Sequence, residues 1–201
     1  MKTEIYKIEA NWIRIKNACR NTVNKNHTDT IPNSEFKTKL LISEHSPIRL
    51  INVDWSWKNI KSFVATHFSR HKWECFISTQ RSDRTGVDRD KEPQGALVTF
   101  EGVANAQNLI DTMRKRLCYQ ASKETRELAE DLKVSISKTE VELADVLVPN
   151  CIYRASCPEF ENCGFWNKFI EKYNILDMLN IDSRYKLYNG DFYTRKMKDG
   201  K

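Results

Sequence analysis

The spacing of apolar residues along the 201-residue chain predicts strands mainly in the first half and long helices mainly in the second. Residues 4–9 and 48–57 alternate between apolar and polar positions, as strands with one buried face do. Residues 75–79 and 95–103 form two further β-like runs. The chain has no repeating strand, helix, strand pattern and no glycine-rich phosphate loop. We therefore expect an α+β fold with a mixed or antiparallel sheet.

Helices are predicted where apolar residues recur every three or four positions. The central one contains Ile60, Phe63, Val64 and Phe68 on one face and ends near residue 70. The same criterion places the others at residues 11–23, 34–43, 103–117, 119–136, 141–147 and 165–173.

The clearest chemical signal lies in residues 58–84, KNIKSFVATHFSRHKWECFISTQRSDR. Its helix ends in three adjacent basic or titratable residues, and a second polar group follows a short β-like run. These residues are Arg70, His71 and Lys72, then Gln80, Arg81, Ser82, Asp83 and Arg84. Arginine has a planar five-donor guanidinium that grips phosphate or an imide edge through charge-assisted hydrogen bonds. The stretch therefore predicts a binding site for a phosphate-bearing small molecule.

Composition favours a single globular domain, with 40% apolar and 30% charged residues. We predict a catalytic domain over residues 1–175 and a basic, solvated tail over residues 176–201. No run approaches the roughly 18 apolar residues of a membrane span, and the first residues lack an apolar signal core. A cytoplasmic protein without a membrane partner is expected, with its six cysteines reduced.

Two groups of residues raise the question of a metal site. His67 and His71 stand four residues apart on one helix face, but Phe68 occupies the position of the glutamate in an HExxH motif. Cys151, Cys157 and Cys163 are separated by five residues each, whereas zinc sites usually use closer pairs. We predict no metal and interpret these cysteines as buried, reduced residues in a surface loop. If all three thiols faced one point, a zinc or iron site would again become a possible interpretation.

Three segments in order resemble the flavin-dependent thymidylate synthases. They are EHSPIRL at 44–50, FVATHFSRHK with STQRSDR between 63 and 84, and ASKETRELA at 121–129. The resemblance implies a homotetrameric α+β enzyme with active sites at subunit interfaces. It also implies FAD as cofactor, NADPH as reductant, and dUMP and 5,10-methylenetetrahydrofolate as substrates. Reduced flavin would supply hydride to the uracil, and the folate carbon would become the methyl group of dTMP.

The same resemblance implies roles for individual residues. Arg126 becomes the catalytic residue that polarises the uracil imide, although the simple interpretation is a solvated helix charge paired with Glu130. Binding of the nucleotide falls to His67, Arg70, Gln80, Arg81, Ser82 and Arg84. Binding of the flavin falls to Ser46, Arg70, His71, Lys72, Gln80 and Arg116. Ser82 is interpreted as a ligand donor, not a nucleophile, because no histidine or lysine stands at a fixed spacing to deprotonate it.

The chain departs from the family pattern at several positions. Lys72 replaces the last arginine of the signature, and Leu50 and Gln80 stand where histidine and glutamate are common. The link before STQRSDR is also about two residues longer. These departures indicate either a divergent, phage-like branch of the same enzyme or a relative that uses another pyrimidine nucleotide or another one-carbon donor.

A basic nucleic-acid-binding protein is the rival from another class, because the net charge is +6. It is less favoured, since no recognised nucleic-acid-binding module occurs.

Overall fold

The computed structural model describes residues 2–79 and 81–199 of the chain. Four strands in this part of the chain form one antiparallel sheet in the order β1-β2-β4-β3. The strands are β1 (Thr3–Glu9), β2 (Asn52–Lys61), β3 (Glu74–Ile77) and β4 (Leu97–Asn105). The α+β prediction is thus confirmed, and the sheet is antiparallel.

Helices lie between the strands and after the last strand. The first four are α1 (Trp12–Thr22), α2 (Ser34–Ile42), α3 (Ser62–Ser69) and α4 (Ser82–Thr85). The next four are α5 (Ala106–Arg116), α6 (Lys123–Ile136), α7 (Val141–Val146) and α8 (Asn150–Arg154). The last three are α9 (Phe165–Lys172), α10 (Ile175–Leu179) and α11 (Ile181–Asp199). None of the helices within the described ranges is both long and apolar enough to cross a bilayer.

The predicted strand at residues 48–57 was placed too early in the chain. Ser46–Leu50 form a 3-10 helix instead, because Pro47 supplies a helical φ in its first turn. Strand β2 then continues to Lys61 past a bulge between Trp57 and Ile60, where Asn59 adopts a positive φ of 57°. Ile60 is consequently a buried strand residue, and α3 begins two positions later.

Other boundaries shift by a few residues for similar reasons. Val103 lies in β4 and not in the helix predicted at 103–117, because Asn105 caps that helix by accepting from the Asn108 backbone N–H.

Cys151 lies buried in α8 and not in a surface loop, and burial raises the pKa of its thiol to about 12.

An aromatic cluster fills the space between the sheet and α3. Its members are Trp55, Trp57, Phe68, Trp73 and Phe100, with ring centroids 4.6 Å apart for Trp57 and Phe68 and 5.1 Å apart for Trp55 and Trp73. Such contacts add to the free energy gained by burying the ring surfaces. The cluster joins the end of α3 to the middle of the sheet.

The interpretation of the basic C-terminal residues as a solvated tail was wrong. Tyr185, Tyr188 and Phe192 on α11 are buried in the core. Arg184 is also buried, and its guanidinium donates to the carbonyl oxygens of Ile152 and Met178 at 2.9 and 2.6 Å. Helix α11 therefore packs as part of the main body, whereas the division into a catalytic domain at residues 1–175 stays a prediction.

Lys133 ties α11 to α6 and α7 from inside the core. Its Nζ donates to the carbonyl oxygens of Ala144 and Leu147 at 2.6 and 3.0 Å, and to Asn189 Oδ1 at 2.7 Å. The side chain is fully buried, and this burial lowers the pKa of its amine to about 7. The three acceptors compensate the cost of placing a lysine there.

Replacement of Lys133 by methionine should destabilise the fold by about 3 kcal/mol, because buried acceptors lose their donor. Urea unfolding followed by circular dichroism measures the change. The control is Lys138→Met, at an exposed position in the turn after α6. Its free energy of unfolding should lie within about 0.5 kcal/mol of the wild-type value. Equal stability of Lys133→Met and wild type would contradict the role assigned to Lys133.

Gly102 is required by the close approach of Trp55, its partner across β2 and β4. A Cβ atom at position 102 would lie 2.7 Å from Trp55 Cη2. We expect Gly102→Ala to lower the free energy of unfolding by about 2–3 kcal/mol, measured by urea unfolding. Gly190→Ala on α11, where a Cβ would meet nothing within 4 Å, should instead stabilise the protein by about 0.5–1 kcal/mol. A neutral Gly102→Ala would show that the tryptophan can move aside.

Candidate functional site

The turn after α3 is held by Trp73. Its indole Nε1 donates to the Phe68 carbonyl at 2.8 Å, and its ring packs in the aromatic cluster. This bond closes the chain between the last turn of α3 and the start of β3. Arg70, His71 and Lys72 are therefore fixed in a tight turn whose side chains reach a cavity.

That cavity has a volume of about 360 Å³ and lies between the turn, α5 and α8. We call it the basic cavity. Its lining residues are Arg70, His71, Lys72, Asn108, Asp111, Thr112, Arg114, Lys115, Asn150, Tyr153 and Arg154. Cationic side chains outnumber the single lining carboxylate, so the cavity carries a positive potential that suits an anionic ligand.

Arg114 is already committed within the basic cavity. It forms an ion pair with Glu44 and a weaker one with Asp111 at 3.3 Å, and its guanidinium stacks 3.6 Å from the Tyr153 ring centroid. The bond to Glu44 offsets the effect of burial and raises its pKa. Arg114 thus has a structural role in the lining of the cavity, and the remaining cations supply the positive charge of the cavity.

His71 is held by Arg116 at the end of α5. Arg116 Nε donates to His71 Nε2 at 2.7 Å, and Arg116 Nη2 donates to the His67 carbonyl oxygen at 2.7 Å. Because Nε2 accepts a hydrogen bond, the ring proton of neutral His71 resides on Nδ1. Burial, followed by the charges of Arg116 and Lys115, lowers the pKa of His71 to about 4. His71 is therefore a neutral donor at pH 7.

His67 connects α3 to the first turn of α6. Its Nδ1 lies 3.1 Å from Thr125 Oγ1, and Thr125 is fully buried. Both histidines of the possible metal pair thus have a ring nitrogen engaged with a protein group. Across residues 2–79 and 81–199, no group of three or more histidine, cysteine or acidic side chains is arranged to hold a metal ion.

Arg126 follows Thr125 and is largely shielded, with 19% of its side chain exposed. Its guanidinium lies 4.4 Å over the Tyr119 ring, a cation–π distance. The predicted pairing with Glu130 is present but loose, at 3.8 Å between Arg126 Nε and Glu130 Oε1. Arg126 is therefore not a fully solvated helix charge, because its guanidinium stacks on Tyr119.

Four of the other predicted residues, Ser46, Arg81, Ser82 and Arg84, do not line the basic cavity. Ser46 lines a second cavity of about 620 Å³, together with Arg14, Asn21 and His27. Arg81, Ser82 and Arg84 lie exposed on and next to α4, where Arg81 pairs with Asp83 at 2.6 Å. Gln80 lies outside the described residues. The structure thus brings together Arg70, His71, Lys72 and Arg116, with His67 and Arg126 on the adjoining helices.

Sequence reasoning missed several residues of the cavity. Lys115 belongs to the basic run 114–116 at the end of α5, so that run was an available signal. Asn108, Asn150 and Arg154 come from distant segments and carried no local signal.

The fold is one already known for enzymes that bind flavin and pyrimidine nucleotides. The flavin-dependent thymidylate synthase ThyX from Helicobacter pylori, solved with FAD and dUMP, superposes with a TM-score of 0.60 at 14% identity. The match covers 74% of this chain and 100% of that one. A second structure of the same enzyme with FAD and dUMP, at 2.31 Å, gives a TM-score of 0.59 at 14% identity, with 73% and 99% covered. The chain therefore has the fold of the flavin-dependent thymidylate synthases.

A further match is the UMP/dUMP methylase PolB from Streptomyces cacaoi bound with 5-Br dUMP. The TM-score is 0.58 at 13% identity, and the match covers 72% of this chain and 93% of that one. No protein-family model and no curated protein sequence matches the chain. The similarity to these solved structures is thus one of fold, at 13–14% sequence identity.

The pKa of His71 tests the hydrogen bond from Arg116. In ¹⁵N NMR, wild-type His71 should titrate near pH 4 as the Nδ1–H tautomer. Arg116→Met should raise this pKa but leave it below 6.5, because burial is the larger cause, and Lys115→Met should raise it less. The pKa of His71 also affects the free energy of unfolding, because it is lower in the folded state than the unfolded value of 6.5. The stability that the neutral His71 ring contributes is present above pH 6.5 and is lost as the pH falls through about 4. An unchanged pKa in Arg116→Met would contradict the assignment.

Proposed function

We propose that the protein is a flavin-dependent thymidylate synthase, which reductively methylates dUMP to dTMP with reduced FAD and 5,10-methylenetetrahydrofolate. The observation that carries the proposal is the basic cavity, built around Arg70, neutral His71 and Lys72, on a fold whose solved members include complexes with FAD and dUMP. NADPH is the proposed source of electrons.

The donor set of the cavity fits a flavin. Arg70 and Lys72 supply positive charge for its phosphates, and His71 offers a neutral N–H that suits a carbonyl oxygen of the ring. Arg116 donates to His71 and to the His67 carbonyl, so its proposed role changes from direct flavin contact to orienting His71. When bound, the flavin supplies hydride chemistry, and the protein contributes position and charge.

Arg126 is the residue proposed to act on the nucleotide. Its guanidinium is held on Tyr119 and is only loosely paired, so its donors are available to a uracil imide. A positive charge there stabilises the negative charge that develops on the ring as hydride arrives. His67, through Thr125, fixes the turn that presents this arginine.

We propose that the active site is completed by a neighbouring copy of the chain in a homotetramer. Ser46 and the segment with Ser82 and Arg84 do not line the basic cavity of their own subunit, although the family resemblance assigns them to flavin and nucleotide. The exposed position of α4 would allow it to reach an adjacent subunit. Arg81, next to α4, would belong to the same segment.

A second candidate is methylation of another pyrimidine nucleotide. The fold match to a UMP/dUMP methylase supports it, as do Lys72 and Gln80 at signature positions. The nucleic-acid-binding alternative is less favoured, because Arg184, Arg195 and Lys196 of the basic C-terminal segment make internal contacts.

The proposal is tested by reconstituting the purified protein with FAD, NADPH and methylenetetrahydrofolate, and by measuring methylated product from dUMP, UMP and dCMP. We expect a yellow protein, a tetrameric mass by light scattering, and turnover of dUMP. Product from UMP alone would support the second candidate. A protein that neither retains flavin nor methylates any of the three nucleotides would exclude both.

Replacement of Arg126 separates nucleotide chemistry from flavin binding. Arg126→Ala should lower kcat/KM for dUMP by about 100- to 1,000-fold while FAD stays bound, because transition-state charge loses its partner. Lys123→Ala, an exposed position in the same helical turn, is the control and should keep near wild-type activity. Loss of flavin in Arg126→Ala, measured by absorbance, would argue against a role confined to the nucleotide.

A further inference from the structure

Glu130 is a buried carboxylate that meets three cationic side chains. Arg195 Nη2 lies 2.8 Å from Oε1, Lys196 Nζ lies 2.6 Å from Oε2, and Arg126 Nε lies 3.8 Å from Oε1. The Glu130 side chain is 6% exposed. Both carboxylate oxygens are thus taken by residues of α11, and Arg126 lies beyond hydrogen-bond distance.

Arg195 also fixes the other group beside Arg126. Its Nη1 donates to the Tyr119 hydroxyl at 2.6 Å, and the Tyr119 ring lies under the Arg126 guanidinium at 4.4 Å. One arginine of α11 therefore contacts the anion and the aromatic ring that flank Arg126. The charge of Glu130 together with the coulombic effect of Tyr119 raises the pKa of Arg195 despite its burial, so it remains a cation.

We propose that Arg195 and Lys196 are positioning residues that keep the Arg126 guanidinium available to an anionic pyrimidine nucleotide by occupying Glu130. The inference rests on the proposed function, in which Arg126 binds the nucleotide. Without these two cations, Glu130 would be a buried carboxylate whose nearest remaining partner is Arg126. A buried charge without its partner is strongly unfavourable, so Arg126 would close the 3.8 Å gap and form a full ion pair. The donors of Arg126 would then point at Glu130 instead of the ligand.

A purely structural role for α11 makes a different prediction. If Arg195 and Lys196 only stabilise the fold, their loss would weaken nucleotide binding to the same extent whether or not Arg126 is present. If they act through Arg126, their loss has no further effect once Arg126 is gone. A double-mutant cycle separates the two, because it measures the coupling between the groups.

The experiment measures dUMP affinity of the FAD-loaded 201-residue protein by calorimetry. Arg195→Met with Lys196→Met should weaken dUMP binding about 10- to 100-fold, the scale of charge-assisted hydrogen bonds, while FAD affinity stays unchanged. In the Arg126→Ala background the same pair should change dUMP affinity less than about threefold. Adding Glu130→Gln to the double variant should restore most of the affinity, because the competing charge is gone. Lys198→Met, an exposed cation on the same helix, should bind dUMP as the wild type does.

The outcomes separate the two proposals. Wild-type protein that binds no dUMP overturns the proposed function together with this inference. The inference alone is overturned if the wild type binds dUMP and the double variant binds it equally well. It is also overturned if the double substitution weakens dUMP binding by the same factor with and without Arg126. If the double variant loses its native circular dichroism spectrum, Arg195→Gln is measured in the same cycle, and the same comparison decides.

Discussion

The hydrogen bond from the Trp73 indole to the Phe68 carbonyl is the constraint on which the candidate site depends. It folds the chain back at the end of α3, and the aromatic cluster anchors the ring that donates it. The backbone of Arg70, His71 and Lys72 is therefore positioned by the apolar packing beneath it, and Arg116 holds the His71 ring. A rigid support of this kind reduces the ordering cost when an anion binds.

The fold class could be predicted because alternation and helical spacing are local signals. The errors arose where a single residue changed the backbone: Pro47 began a 3-10 helix, and Asn59 let β2 continue through a bulge. The basic composition of the C-terminal segment predicts a solvated tail, but its aromatic residues bury one face of α11. Tyr185, Tyr188 and Phe192 stand three and four positions apart, which is the spacing of a buried helix face.

The candidate site could be predicted only where its residues are contiguous. Arg70, His71 and Lys72 were found because they follow one another at a helix end. The bond from Arg116 to His71 joins residues 45 positions apart, and the charge of Arg116 adds to burial in lowering the pKa of that histidine. Periodicity carries no information on such pairs.

Trp55 and Gly102 are direct partners across β2 and β4, and the indole occupies the space where a side chain at 102 would stand. In an evolving lineage the two positions are consequently not independent. A larger residue at 102 becomes tolerable only after the tryptophan has given way to something smaller. Homologous sequences that lack this glycine are accordingly expected to lack the tryptophan as well, so covariation at these two columns would mark chains that share this sheet packing.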